Sequence, residues 1–463
     1  MPAPDAVFLK GNLFRHITVM TLTSSVGLMA VFLVDFIDMV FISMLGKAEL
    51  AAAIGYAGAI LFFTSSIGIG MAIAAGAQVS RALGEGEKTL ARNRASTALV
   101  WGVIFGSAFA ALIWLNVRPL AQLVGATGET LDLAVLYLRI IIPSLPLLLV
   151  GMVGGAILRA HGAARRSMMA TIWGAGVNAV LDPILIFGLD MELTGAALAS
   201  VCARITIALA ALYPIFRHHG GLCRPSPRHM LGALAPLLAI AGPAMLTQMA
   251  TPVGQAYVTR AMAAYGEEAV AGMAIIARMS PVAFATIFAL SGAIGPVIGQ
   301  NFGAGQHDRV RRAWLNGMLF ALLVVITVTL VLYLLRPYIA ALFEAEGIAQ
   351  TLIYLFCGPL ALLFFFNGAI FVSNAAFNNL GRPLWSTWIN WGRNTLGTIP
   401  LVLVCGAVWG APGVLIGQAL GGVAFAILAT ILSGRIMKRP QSPPTKPPFA
   451  RQGRLLSLVN LRR

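Results

Sequence analysis

Charge is scarce in this chain. Only 10% of its 463 residues are Asp, Glu, Lys or Arg, where a soluble domain carries about 25%. Acids are rarest, 16 against 32 Lys and Arg. So few charges cannot solvate a water-facing surface, which excludes a cytosolic enzyme. The four cysteines, Cys202, Cys223, Cys357 and Cys405, are scattered. Without a paired C-x-x-C they provide neither a disulfide framework nor a zinc site. No Walker A loop, H-E-x-x-H or G-x-S-x-G pattern occurs; Gly86-Glu87-Lys88-Thr89 lacks the spacing that cradles phosphates. The six histidines, at 16, 161, 218, 219, 229 and 307, all fall at helix ends or in loops, which argues against a buried histidine relay. No cofactor, metal centre or nucleic-acid partner is expected. The basic excess sits in short gaps between apolar stretches, where it orients a membrane protein rather than binding nucleic acid.

What the chain does have is apolar length. Hydrophobic residues make up 59% and the mean hydropathy is +0.85. A spanning helix takes about 20 mostly apolar residues. Twelve such segments are predicted, near 16–43, 50–80, 95–117, 132–158, 168–188, 195–216, 232–260, 268–300, 313–335, 351–377, 385–408 and 412–434. They are too long for barrel strands of roughly 10 residues. The first is too long, and carries acids within it, for a cleavable signal peptide. The even-numbered gaps hold the bases, among them Arg81, Arg92, Arg94, Arg159, Arg165, Arg166, Arg217, Arg309, Arg311 and Arg312. The odd-numbered gaps hold Glu129, Asp190, Glu192, Glu267, Glu268, Glu344 and Glu346. By the positive-inside rule both termini are cytoplasmic.

The halves echo each other. Gly46-Lys47-Ala48-Glu49 resembles Gly266-Glu267-Glu268-Ala269, Gly84 and Gly86 resemble Gly303 and Gly305, and Pro183 and Gly195 find partners at Pro400 and Gly413. Six helices separate the copies, so both have one orientation, a parallel repeat known among secondary transporters. The expected architecture is an all-α integral membrane protein of two pseudo-symmetric six-helix lobes. A cytoplasmic N-terminus (1–15) leads into an N-lobe (16–216), a basic linker (217–231) and a C-lobe (232–435). The Pro- and base-rich tail (436–463) reads as disordered.

The intramembrane acids carry the chemistry. Only Asp35, Asp38 and Asp182 lie well inside a span, and the second half has none. A charge at the bilayer centre costs at least about 2.5–3.5 kcal/mol, so it is kept for pairing or for function. Asp35 and Asp38 are one turn apart, and their repulsion favours a bound proton. Asn178 and Asp182 stack on one face beside Pro183, and Ser200 adds a hydroxyl. Such an oxygen set holds a proton or a hard cation; Na⁺ at Asp35, Asn178 and Asp182 is the competing occupant. A packing ion pair with Arg204 or Arg139 is the structural alternative.

Val34-Asp35, the Asn178…Asp182-Pro183 pattern, Gly195…Ser200 and the paired glycine loops together resemble the multidrug and toxic compound extrusion (MATE) transporters. The likeness runs from about residue 12 to 435 and is nearest to the DNA-damage-inducible-like branch. That resemblance implies a coupling-cation site at Asp35 with Asn178, Asp182 and Ser200, and matches Tyr137 to a Tyr near the site. It implies an antiporter, not an enzyme, exporting amphipathic, cationic small molecules by alternating access of the lobes. H⁺ is favoured over Na⁺ because three carboxylates crowd one region. In another bacterial branch acids of the second lobe contribute; here Gln255 stands opposite Asp35 in the repeat, which puts coupling in the N-lobe. Tyr137, Arg204 and Met39 are the expected substrate contacts, with Asp38 added to the cation set. Arg204, one turn after Ser200, either enters the acidic pocket or snorkels. The expected setting is a monomer in a bacterial-type inner (plasma) membrane, in contact with lipid. A lipid-linked oligosaccharide flippase of the same superfamily would want a basic cavity, for which Arg204, Arg278 and Arg393 are candidates. A membrane-embedded lipid-modifying enzyme lacks a His/Asp or Ser/His constellation.

Overall fold

The computed structural model describes residues 6–223 and 226–438. The tail expected from 436 therefore lies, beyond Lys438, outside the described residues. Among the described residues every regular element is helical. The first six long helices are α1 (Leu13–Met44), α2 (Ala48–Gly84), α3 (Lys88–Leu115), α4 (Gly128–Ala160), α5 (Ala164–Gly188) and α6 (Glu192–His218). The second six are α7 (Pro227–Ala263), α8 (Glu267–Ala283 continued by Ala285–Gly303), α9 (His307–Leu342), α10 (Gly347–Asn379), α11 (383–409) and α12 (411–438). The last two form one helical stretch of 56 residues. A crossing needs about 20, and the chain breaks at Gly410, whose φ of +65° and ψ of −142° are closed to other residues. The stretch is thus two spans, and the total is twelve.

Several spans are broken where sequence reading drew them straight. In α4 a 3₁₀ turn at Ile142–Ser144, which contains Pro143 and is followed by Pro146, interrupts the helix. In α8 a 45° bend falls at Phe284, just after Pro281. Pro359 disturbs α10 at Gly358. Proline removes a donor and restricts the residue before it, which accounts for the breaks that begin at Ile142 and Gly358. A short helix, Val117–Leu123, lies in the gap after α3 and was not anticipated.

Within the N-lobe α5 packs on α6 and α2 on α4; in the C-lobe α10 packs on α8 and α9, and α11 on α7. The lobes meet where α1 lies against α8 and α2 against α7 and α8. The repeated glycines sit where backbones touch. A Cβ on Gly195 would fall 2.8 Å from the Leu185 carbonyl carbon, and one on Gly413 would fall on the Cys405 oxygen. Across the seam the contact is reciprocal: a Cβ on Gly84 would overlap Gln300 O, and one on Gly303 would overlap Arg81 O.

That crossing lies at the end of the bundle where the chain begins. There the segment before α1 seals the seam. Phe8 is fully buried, its N–H donates to Gln300 Oε1 (3.0 Å), and its carbonyl accepts from Asn301 Nδ2 (3.2 Å) and Arg309 Nη2 (3.0 Å). Gln300 Nε2 donates in turn to Ala160 O of α4 (2.8 Å). At the opposite end the polar contacts among the described residues stay within a lobe, as in Lys47–Glu192 (2.7 Å) and Tyr265 Oη to Gly406 O (2.8 Å). The lobes are closed together at the N-terminal end, while α1 beyond its middle exposes Leu33, Asp35, Phe36 and Met39.

Candidate functional site

The N-lobe acids come from two helices. α1 carries Asp35 and Asp38 on neighbouring turns, and α5 carries Asn178 and Asp182 one turn apart, next to the π-helical segment Ile184–Gly188. α1 and α5 pack extensively against each other, which brings Asp38 within hydrogen-bonding reach of Asp182. Asn178 Nδ2 donates to Asp182 Oδ2 at 2.7 Å. Asp182 is wholly buried and Asn178 nearly so. The Oδ1 atoms of Asp38 and Asp182 are both sealed from solvent with no N–H or O–H donor. Two facing carboxyls satisfy each other only with a proton or a cation between them. Chemically, such a pair can take up one positive charge between its oxygens.

Beside this pair, Tyr137 of α4 is buried and its hydroxyl lies in hydrogen-bonding reach of Ser200 on α6, close to Asp38 and Asp182. Four helices of one lobe thus converge on the carboxyls. Asp35 is placed differently from the sequence expectation. It neighbours Asp38 but is bonded to neither Asn178 nor Asp182, and its side chain is exposed on the open face of α1 with Met39. Asp38, rather than Asp35, meets α5. Helical phase accounts for this: three residues turn Asp38 by about 300° relative to Asp35.

Neither arginine proposed as a packing partner forms an ion pair with these acids. Arg204 Nη1 donates to Ile141 O (3.2 Å) and Ser144 Oγ (2.9 Å), so it satisfies the carbonyl freed by the break in α4. Arg139 lies over the Trp114 ring at 5.8 Å. The Arg204 role was legible only through the Pro143 and Pro146 pair that makes the break. No group of three or more His, Cys, Asp or Glu suited to a metal ion occurs among the described residues.

The C-lobe counterpart contains no carboxylate. Gln255 and Gln418, the repeat partners of Asp35 and Ser200, bond to each other (Nε2 to Oε1, 3.0 Å). Arg393 opens a π-helical segment of α11 and donates to Asn367 Oδ1 of α10. The arrangement is a two-lobed membrane carrier with a polar site inside each lobe.

The MatE family profile matches residues 24–184 and again 243–404, and the chain belongs to that family of transporters. It is a membrane-spanning transporter and not an enzyme. The FAD transporter of Shewanella oneidensis is 29% identical to it over 92% of this chain and 96% of that protein. The multidrug export protein MepA of Staphylococcus aureus is 23% identical over 93% and 96%. Among solved structures, a multidrug resistance MATE transporter described as outward-facing superposes with a TM-score of 0.88 at 22% identity, over 95% of this chain and 99% of that one. A mutant of the Vibrio cholerae MATE transporter VcmN gives 0.87 at 24% identity, over 92% and 97%.

Proposed function

We propose that this chain is a proton-coupled antiporter that exports amphipathic small molecules by alternating access of its lobes. The coupling site is Asp38, Asp182 and Asn178, with Ser200 and Tyr137 beside it and Asp35 at its mouth. One observation carries the reading: the sealed carboxyl pair, which needs a positive charge between its facing oxygens. A proton fits between two carboxyls in direct contact, whereas Na⁺ would push them apart to reach its usual oxygen set. Asp35, exposed on α1, gives that proton a route to the open side. The lobe boundaries are 16–216 and 232–435, joined by the linker 217–231. The basic gaps support a reading with both termini in the cytoplasm of a cell with a bacterial-type inner membrane, in which the closed N-terminal seam is the cytoplasmic one. Chain-on-chain contacts play no part in this scheme, and a monomer suffices.

The test is uptake of a fluorescent amphiphile by everted vesicles under pH and sodium gradients imposed separately. Uptake driven by the pH gradient, and lost in Asp35→Asn and Asp182→Asn, is expected. Uptake that follows sodium alone would overturn proton coupling, and intact gradient-driven uptake in both variants would overturn the site.

A further inference from the structure

The C-lobe holds a half-buried cation whose charge no acid balances among the described residues. Arg393 sits in the middle of its lobe on a π-helical segment, a backbone irregularity that recurs at functional sites. Its one side-chain partner is Asn367, a neutral amide, through Nη1; Nε and Nη2 have no partner among the described residues. Those nitrogens are not sealed in either, because Arg393 is only half-buried and is absent from the sealed, unpartnered atoms. Its bond to α10 directs it into the lobe, away from lipid, where a charge costs at least about 2.5–3.5 kcal/mol. The open N–H groups are therefore free to meet a further partner beside Asn367.

The surroundings suit an anion. α7 touches α11 next door, where a Cβ on Gly254 would lie 2.6 Å from Asn394 Oδ1. Gln255 follows directly and is bonded to Gln418 of α12. Amide side chains thus line this lobe on four helices, of which Asn367 meets the guanidinium directly, and the described spans of this lobe contain no mid-span acid. A guanidinium with two free N–H edges binds carboxylate or phosphate by charge-assisted, bidentate hydrogen bonds.

We infer that Arg393, with Asn367, forms an anion subsite that takes the carboxylate or phosphate of an amphipathic substrate. This rests on the reading of the chain as an exporter. The two lobes then divide the work: acids of the N-lobe hold the coupling charge, and the cation of the C-lobe selects the cargo.

The test uses purified full-length protein and a matched pair of aromatic probes, flavin mononucleotide with its phosphate and riboflavin without it. Binding is followed by flavin fluorescence anisotropy, and gradient-driven flux of both probes is measured separately in proteoliposomes. Wild type should prefer the phosphorylated probe. Arg393→Gln should weaken that probe about tenfold or more and leave riboflavin nearly unchanged, while Arg393→Lys recovers part of the preference. Equal affinity for both probes in wild type, or equal loss of both in Arg393→Gln, would overturn the anion subsite and leave the exporter reading intact. Anion preference without flux of either probe would support the subsite and overturn the exporter reading instead. Phosphatidylglycerol titrated into the micelles separates the sources of phosphate. If it competes with a wild type that shows no probe preference, the occupant is a lipid headgroup and the cargo assignment falls.

Discussion

Adding one methyl group at Gly303 should open the N-terminal seam. A Cβ there would lie far inside contact distance of the Arg81 carbonyl oxygen and 3.0 Å from its carbon. The blocking atoms are backbone, so no side chain can swing aside; α2 and α8 must separate. Overpacking of this kind costs about 1–3 kcal/mol. The penalty falls on the arrangement in which the lobes touch at this end, and not on one in which they have parted. It therefore shifts the balance between the two by about 5- to 150-fold. Ser80, fully buried against Gly299 in the same crossing, is the reporter. In a background with the four native cysteines replaced, Ser80→Cys should react slowly with a membrane-permeant maleimide, and much faster once Gly303→Ala is added. Gly84→Ala, which overlaps Gln300 O, should act the same way. Gly434→Ala, with open space around its Cβ, serves as the control. Unchanged labelling in both seam variants, with the protein still folded by gel filtration, would refute the reasoning.

Three further outcomes follow from named contacts. Asp38→Asn and Asp182→Asn should each abolish coupled transport, and the double variant should lose less than their sum in thermal stability, by about 0.5–3 kcal/mol of interaction; additive melting shifts would mean that the carboxyls do not meet. Asn178→Leu removes the one N–H donor to Asp182 Oδ2 among the described residues and should destabilise the fold by about 1–3 kcal/mol, read as a drop in melting temperature that Asn178→Gln partly restores; an unchanged temperature in Asn178→Leu would exclude the bond. Phe8→Ala empties a fully buried position and should cost about 3–5 kcal/mol at the seam, seen as faster tryptic cleavage at Lys10; equal cleavage rates would show that Phe8 does not hold the segment down.

The fold was legible because its cause is one-dimensional. Apolar runs of spanning length and the alternation of basic gaps need no tertiary information, and even the division of the last stretch near residue 410 was readable from Gly410 and Pro412. The interruptions inside α4, α8 and α10 were hidden by the same apolar character that reveals the spans, although Pro143, Pro281 and Pro359 mark them. At the site, residue types were legible and partners were not. The acids stood out because charge is costly in lipid, yet the order of Asp35 and Asp38 depends on the rotation of α1 against α5. A slip of one turn exchanges them. Phe8 escaped notice because three apolar residues before a span look like part of its edge.

The repeat shows which features the architecture demands and which it leaves free. Where backbone meets backbone, the copies agree: Gly84 with Gly303 and Gly195 with Gly413 stand at equivalent crossings, and any larger residue would collide with main-chain atoms there. Those positions answer to packing, which is the same in both lobes. The polar positions answer to no such constraint, and there the copies part company. Asp35 becomes Gln255, Ser200 becomes Gln418, and the acid-bearing stretch of α5 is matched in α11 by one that carries Arg393 and no acid. Had polar residues served only to tie helices together, neutral pairs such as Gln255–Gln418 would have sufficed in both lobes, without the cost of buried charge. The intramembrane acids are instead confined to the N-lobe, where Arg204 bonds α4 and not the carboxyls, while the C-lobe span that matches α5 carries Arg393 and no acid. A duplicated scaffold has been loaded asymmetrically, and the asymmetry lies in the positions that the proposed function assigns to ion and cargo.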